Sequence, residues 1–335
     1  MRALRRRLMM SGSKKDFSKV PFYSHALEDG VFTFNILVDK SDITQLSYAI
    51  NDPTFTDNLV TTVNEDSKTV QVVVPVQEGD VVYWKGLGDR YNNNTPNYND
   101  DVFESTGLYE VGGNLMSLVC PDVSSFIANI FPDVVQTYCF RNFFRNETNL
   151  VSCDNLVIPV STCKEEGCKR LFYGCSSLVN PIKVLPATTI EKQCYMSMFG
   201  FCSNLTSGPE LPARTLAQQC YEAMFQGCTS LTTAELPVIP TWTPSACKSM
   251  FYDCSELSYV KALIKNIAAD MTSNWMKGVK NEPECIFVKN IDAVWTTTGD
   301  GGVPSNWTLI YFSPSTGKYY LSDKTTECDD HGNVI

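Results

Sequence analysis

The chain has 335 residues, 43% of them hydrophobic and 19% charged, and a formal net charge of −10. That length carries two or three domains and a sizeable core, and without any run of about 18 apolar residues a membrane span is not expected. The acidity of the body argues against nucleic acid as its partner, because it repels phosphates.

The charge is unevenly placed. Arg2, Arg5, Arg6, Arg7, Lys14, Lys15 and Lys19 stand against the single acid Asp16, so everything after them is strongly acidic. A basic arm, 1–23, on an acidic body points to a partner of its own, with Arg2, Arg5, Arg6, Arg7, Lys14 and Lys15 as anchoring residues. The stretch "MRALRRRLMM" suits one or two helical turns with Leu4 and Leu8 on one face. It fits an anionic membrane surface, a nucleic acid or a groove in a larger assembly. A solvated tail is the plain alternative, and docking onto a partner protein is the favoured reading. Leu8-Met9-Met10 gives way at once to Ser-Gly-Ser-Lys-Lys, short of the roughly 7–15 apolar residues of a secretory signal, so no export route is expected.

Residues 24–118 read as β. Phe32, Phe34, Ile36 and Val38 alternate with Thr33, Asn35 and Leu37, and "TVQVVVPV" (69–76) and Val81–Trp84 follow, separated by turn-rich "NDPTFTDN" and "NEDSK". A small antiparallel sandwich is the natural expectation. The loop "GDRYNNNTPNYNDD" (88–101) is long enough to carry function. Its Tyr91, Asn92, Asn93, Asn94 and Tyr98 are candidate ligand-binding residues, since rings beside amides suit sugar faces and hydroxyls.

Residues 119–257 repeat. Aligned on a closing leucine, the copies are "CFRNFFRNETNL" (139–150), "CKRLFYGCSSL" (168–178), "CYMSMFGFCSNL" (194–205), "CYEAMFQGCTSL" (220–231) and "CKSMFYDCSEL" (247–257). Phe144, Phe172, Phe199, Phe225 and Phe251 fix a period of 26 to 28 residues, and Ile158-Pro159, Leu185-Pro186, Leu211-Pro212 and Leu236-Pro237 keep the same beat. A period in the twenties predicts a leucine-rich-repeat solenoid. In the fourth unit Leu216, Cys220 and Met224 fall at i, i+4 and i+8, with Tyr221 and Phe225 beside them, which predicts one apolar stripe on a short helix. Gly227, Gly174, Asn146 and Asp253 stand where a left-handed residue closes a helix; Phe201 departs, so a differently built turn is expected there. Each unit is too small to bury its own stripe, so stacking supplies the core. Residues 258–312 then read as a cap in which Trp275, Trp295 and Trp307 cover the exposed end, and 313–335 as a tail.

The 14 cysteines fit neither bridge nor metal. Cys220 and Cys228 lie about 12 Å apart along a helix, beyond disulfide reach. No C-x-x-C occurs, and Cys163 and Cys168 lack further ligands to complete a zinc site. They read as small buried hydrophobes of a chain folded in a reducing compartment.

The "CYxxMFxGCTSL" unit followed by "ELPARTLA" resembles the BspA-like leucine-rich-repeat proteins of gut Bacteroidales and their phages. "ALEDGVFTFNI" (26–36), "EGDVVYWKGLG" (78–88), "STGLYEVGGNLMSL" (105–118) and "GVPSNWTLIYF" (302–312) resemble the segments that flank those repeats, so the likeness covers roughly 24–312. Glu147, in place of the second cysteine of the first unit, departs from it. The resemblance implies an α+β fold: an N-terminal antiparallel β-sandwich-like domain followed by a short BspA-like solenoid with a C-terminal cap. It also implies a surface or virion binding protein rather than an enzyme.

The residues agree with that. His25 and His331 are the only histidines, too few for histidine-based catalysis, and both read as solvent-exposed. Asp100-Asp101 and Asp329-Asp330 read as solvated loops rather than a glycosidase pair, and "TGDGG" and "DDHGN" fall short of a calcium loop. No cofactor or metal is expected. The expectation is therefore a non-enzymatic structural virion protein, a phage head or tail fibre or decoration protein. Its basic N-terminus binds other virion proteins, capsid or tail, and its repeats adhere to a host-surface glycan or protein, with homo-oligomerisation open. A bacterial cell-surface adhesin is the alternative, and a glycan depolymerase a more distant one.

Overall fold

The structure is a computed structural model that describes residues 16–37, 45–55, 59–62, 69–87, 102–119, 131–240, 243–267 and 270–335. In chain order the strands are β1 (Tyr23–Ala26), β2 (Gly30–Leu37), β3 (Gln45–Ile50), β4 (Leu59–Thr62), β5 (Thr69–Val76), β6 (Val81–Leu87), β7 (Phe103–Ser105), β8 (Tyr109–Asn114) and β9 (Val134–Val135). There follow β10 (Leu150–Val157), β11 (Thr162–Cys163), β12 (Thr189–Ile190), β13 (Thr233–Ile239), β14 (Tyr259–Ile264), β15 (Ile286–Asn290), β16 (Thr308–Ser313), β17 (Lys318–Tyr320) and β18 (Glu327–Cys328). They form four sheets, and no α-helix occurs among the described residues. This overturns the α+β expectation and its helical leucine-rich-repeat solenoid. The protein is β-rich, and the stretches expected to be helices are built differently.

Strand alternation sets the N-terminal part. Val72, Val74 and Val76 of β5 turn inward while Gln71, Val73 and Pro75 face water. A three-stranded sheet, β5-β2-β7, faces a six-stranded sheet of order β10-β8-β1-β6-β3-β4. Rings fill the space between them: Phe34 lies 5.5 Å from Trp84, and Phe32 5.5 Å from Tyr109. Trp84 is fully buried and gives its indole N–H to Ser24 Oγ at 2.9 Å, so no donor is stranded. Because β10 pairs in parallel with β8, the sheet runs past residue 118 into the first repeat, and one core cluster reaches from Phe22 to Trp307.

The repeats replace a helix by a ribbon of tight turns. In the fourth unit the N–H groups of Cys220, Glu222, Met224 and Gln226 donate three residues back, to Ala217, Gln219, Tyr221 and Ala223. The N–H groups between them, on Tyr221, Ala223, Phe225 and Gly227, donate to Ala246, Lys248, Met250 and Tyr252 of the next unit. An α-helix would spend every amide within itself; here half of them join neighbours. The ribbon turns left-handed at every fourth residue, at Gln219, Ala223 and Gly227 with φ of 55°, 53° and 72°. That four-residue beat keeps Leu216, Cys220 and Met224 on the buried side, so the stripe is real although the helix is not.

Two ladders run through the stack. Phe144, Phe172, Phe199, Phe225 and Phe251 stack with centroids 5.4 to 5.8 Å apart and planes within 12°. Trp275 continues the series at 6.2 Å but tilts by 47° and meets Phe287, so residues 270–278 form a sixth ribbon. The second ladder is at the closing left-handed position, where Asn146, Gly174, Phe201, Gly227, Asp253 and Gly278 all have positive φ. The expectation that Phe201 marks a different turn is corrected. Side chain and glycine alternate there because each side chain lies over the next glycine. A Cβ on Gly174, Gly227 or Gly278 would come within 2.5, 2.7 or 2.2 Å of Asn146, Phe201 or Asp253.

The C-terminal sheet has the order β13-β14-β15-β16-β17-β18. Its inner face joins the common core, while Ile286, Val288, Ile310 and Cys328 on the other face pack with Tyr259, Phe312, Tyr319 and Leu321 into a smaller one. The segment read as a tail thus supplies two strands. Trp275, Trp295 and Trp307 are buried, and their indole N–H groups donate to the carbonyls of Gly302, Ile264 and Lys280.

Gly227→Ala is expected to destabilise the chain by about 1–2 kcal/mol from the left-handed backbone and further from the ring contact. Phe201→Ala in the same chain removes the contact part, so in a double-mutant cycle in urea the double variant should lose less stability than the sum of the two single losses. Additive losses would show that the ring does not press on the glycine.

Candidate functional site

The residues singled out as an anchor, Arg2, Arg5, Arg6, Arg7, Lys14 and Lys15, lie outside the described residues. So do the candidate ligand contacts Tyr91, Asn92, Asn93, Asn94 and Tyr98, and the pair Asp100-Asp101. The described chemistry-bearing groups can each be followed to their partners.

His25 is not a bystander. Its Nδ1 lies 2.8 Å from Glu110 Oε1 on the neighbouring strand β8, with the ring only 22% exposed. His331 is exposed as expected and sits 2.8 Å from Asp330 Oδ1. Asp329, Asp330 and His331 bring ligand atoms within 4.8 Å of one another. The Asp329 carboxylate there already accepts the N–H groups of His331 and Asn333 and the Asn333 amide, which explains the cluster as a turn.

The thiols have structural work. The second cysteine of a unit points its S–H at the carbonyl of the ladder Phe one unit back: Cys175 to Phe144 at 2.9 Å, then Cys202 to Phe172, Cys228 to Phe199 and Cys254 to Phe225, each at 3.0 Å. Burial pushes the Cys202 and Cys228 thiols well up and Cys254 to about 12, so they stay protonated donors rather than nucleophiles. In the first unit Glu147 takes this position. Its buried carboxylate accepts Tyr109 Oη and the Ser105 N–H, both at 3.0 Å, and ties the repeat to β7 and β8. Cys163 and Cys168 have their sulfurs 3.9 Å apart, both fully buried. Burial alone would raise the Cys163 thiol, but donors on Cys168, Cys194 and Tyr195 hold it down.

The buried charges Arg141, Lys169 and Lys289 also have partners. Glu166 receives Arg141 Nη1 at 2.6 Å and Lys169 Nζ at 3.1 Å. From Lys169 a polar line continues across the units through Gln193, Gln219 and Glu222. Lys289, 4% exposed, donates to the Trp295 carbonyl and lies 4.0 Å above its ring. Desolvation draws its ammonium down to about 8.

One feature is open to a partner. A cavity of about 550 Å³ lies between the strand segments of the third and fourth units, lined by 207–212, 233–237, Phe225, Leu231, Met250, Phe251, Lys261 and Leu263. Its floor is the Phe ladder. At its mouth Gly208 passes so close to Phe225 that a Cβ would lie 2.9 Å from the ring. Glu210 and Glu235 stand exposed at its edge. Lys261 is held aside by Tyr319 Oη at 3.0 Å and by the Phe312 ring.

The opening coincides with a change in spacing along the stack. Leu185 lies seven positions after the closing Leu178, Leu211 six after Leu205, Leu236 five after Leu231 and Ala262 five after Leu257. Where the spacing is equal, β13 and β14 pair in register, Leu236 opposite Ala262. Where it differs by one, Leu185, Leu211 and Leu236 still share the inner face, so the spare residue is taken up before the strand and continuous pairing is not seen. The second and third units keep a single bridge, Val184 to Glu210. The third and fourth keep none among the described residues. That shrinking count was the signal in the sequence for Glu210, Leu211 and Glu235, and an alignment on the leucines alone passes over it.

No protein-family model, no curated protein and no solved structure matches the chain.

Cys228→Ala is expected to cost about 0.5–1.5 kcal/mol in urea unfolding from the lost S–H donor, besides its lost volume, since the Phe199 carbonyl keeps the Cys202 N–H. Cys228→Ser keeps a donor and should cost less; equal costs would mean that only volume matters. Lys289 offers a pH test. Its folded value near 8 lies below the ordinary 10.5, so between them the unfolded chain binds more protons. Its contribution to stability therefore rises with pH across that window and is lost as pH falls through 8. Lys289→Met should flatten that slope, and a Lys289 ammonium titrating near 10.5 by NMR would refute the assignment.

Proposed function

We propose that the chain is a non-enzymatic structural protein of a virion, a fibre or decoration protein of a phage head or tail. The basic arm, through Arg2, Arg5, Arg6, Arg7, Lys14 and Lys15, binds capsid or tail proteins. The stacked repeats face a host cell surface and adhere to it. The observation that carries this reading is the continuous core from Phe22 to Trp307 with its cross-unit hydrogen bonds. It makes a rigid body of the kind that presents a surface, and the cavity between the third and fourth units is lined mainly by backbone and apolar side chains, with Glu210, Glu235 and Lys261 at its edge.

The thiols separate this reading from an exported bacterial adhesin. Four units use a reduced S–H as a hydrogen-bond donor in the core, a role that oxidation during export would remove. Folding in the host cytoplasm and release by lysis preserve it.

The chain is expected at fixed stoichiometry in density-purified particles, measured by mass spectrometry against the cell-envelope and soluble fractions. Deleting residues 1–20 should abolish its incorporation. Enrichment in the envelope with particles clean would replace the virion reading by the adhesin, and normal incorporation of the truncated chain would remove the anchor.

A further inference from the structure

The cavity between the third and fourth units has the hydrogen-bonding pattern of a missing strand. The two units are clamped at both ends of it. Thr232 N–H donates to the Thr206 carbonyl at 3.3 Å, and Thr243 Oγ1 to the Leu216 carbonyl at 3.2 Å. Between these clamps no hydrogen bond among the described residues joins the two segments.

The walls are two parallel strand segments with their facing groups unspent. On one side β13 pairs with β14, and Tyr259 N–H donates to the Thr232 carbonyl. Peptide groups alternate in direction along a strand, so those of Ala234 and Leu236 serve β14 while those of Thr233, Glu235 and Pro237 face the cavity. On the other side Glu210 donates to Lys183 and accepts from Leu185 in the second unit. The groups of Pro209 and Leu211 therefore face the cavity. Proline has no N–H, so the walls offer the N–H groups of Leu211, Thr233 and Glu235 and the carbonyls between them.

We infer that this slot accepts an extended segment of a partner protein as an inserted β-strand, paired along both of its edges. The facing groups span three residues on one wall, 209–211, and five on the other, 233–237, which at ~3.3 Å per residue suits an insert of similar length. Charge selects the sequence. The Glu210 and Glu235 carboxylates border the slot with no ion pair among the described residues, and Lys261 is turned to Tyr319, so the insert carries a Lys or Arg between apolar residues. A sugar is a poorer match. It wants an exposed ring face, and Phe225 and Phe251 are 2% and 0% exposed. The inference rests on the adhesion reading and names the partner's chemistry: main chain, read as an added strand.

The test begins with a random heptapeptide display selection on the full-length chain, followed by synthesis of the enriched peptide as the probe. Alternating apolar sequences with a Lys or Arg are expected. In hydrogen exchange the peptide should protect the amides of Leu211, Thr233 and Glu235 and leave that of Phe225 unchanged. Glu235→Pro, which deletes a donor that the fold does not use, should weaken binding at least tenfold. Glu235→Gln should weaken it several-fold at low salt only. Failure to enrich any peptide, protection elsewhere, or equal binding by Glu235→Pro would overturn the slot. If Glu235→Pro unfolds, the exchange result on the unaltered chain decides. A Glu235→Pro chain that folds, loses the peptide and still adheres to cells keeps adhesion and refutes the slot's part in it. A chain that binds the peptide as expected but no cell surface keeps the slot and refutes adhesion.

Discussion

Everything distinctive in this structure depends on where alternate backbone amides go. In each ribbon half of the N–H groups close turns and half reach the neighbouring unit. The geometry has a cost: three left-handed residues per ribbon, mostly not glycine, at about 1–2 kcal/mol each. A unit by itself would bear that cost with nothing to offset it. In the stack it gains four or five cross-unit hydrogen bonds, each worth about 0.5–1.5 kcal/mol, and it buries a Phe worth about 1.5–3 kcal/mol. The balance is favourable only with a neighbour present, so the units stand or fall together.

That constraint decides the side chains at the fixed positions. The ring beneath the ribbon must be planar and centred to stack at 5.4 to 5.8 Å, which Phe satisfies four times over before Trp275 ends the run. The position after it must be small and must donate, because it lies under the preceding Phe carbonyl. Cysteine meets both demands with a weak donor and no charge. In the first unit the same position carries Glu147 and is turned to Tyr109 and Ser105 instead. The substitution that looked like a lapse in the repeat is the joint between the repeats and the N-terminal sheets.

Much of this was legible and some was misread for a physical reason. The period, the Phe register and the buried cysteines follow from spacing. The ribbon was mistaken for a helix because Leu216, Cys220 and Met224 fall four apart, and a turn ribbon with a four-residue beat produces the same stripe as a helix. What separates them is the left-handed residue at every fourth place, and Gln219, Ala223, Ser197 and Arg170 adopt it with no preference that marks them in sequence. The alternation Asn146, Gly174, Phe201, Gly227, Asp253, Gly278 was in plain view, but it has a period of two units, and an alignment of single units registers Phe201 only as an exception.

The slot follows from the same economy seen from the other side of the stack. On the ribbon side, each unit keeps a constant length and every cross-unit bond forms. On the strand side, the count from closing leucine to Leu-Pro falls from seven to six to five, and the segments before the strands take up the difference, since Leu185, Leu211 and Leu236 all stay buried. The ribbons hold the units together while the third and fourth strand segments share no bridge among the described residues, and Pro209 and Pro237, without an N–H, limit their means of closing. An opening made this way is held from below by the Phe ladder and at its ends by Thr206 and Thr243. The backbone groups along it are therefore fixed in direction before anything binds. Preorganisation of that kind lowers the ordering cost of binding, so a short extended segment suffices where a flexible edge would demand a longer one.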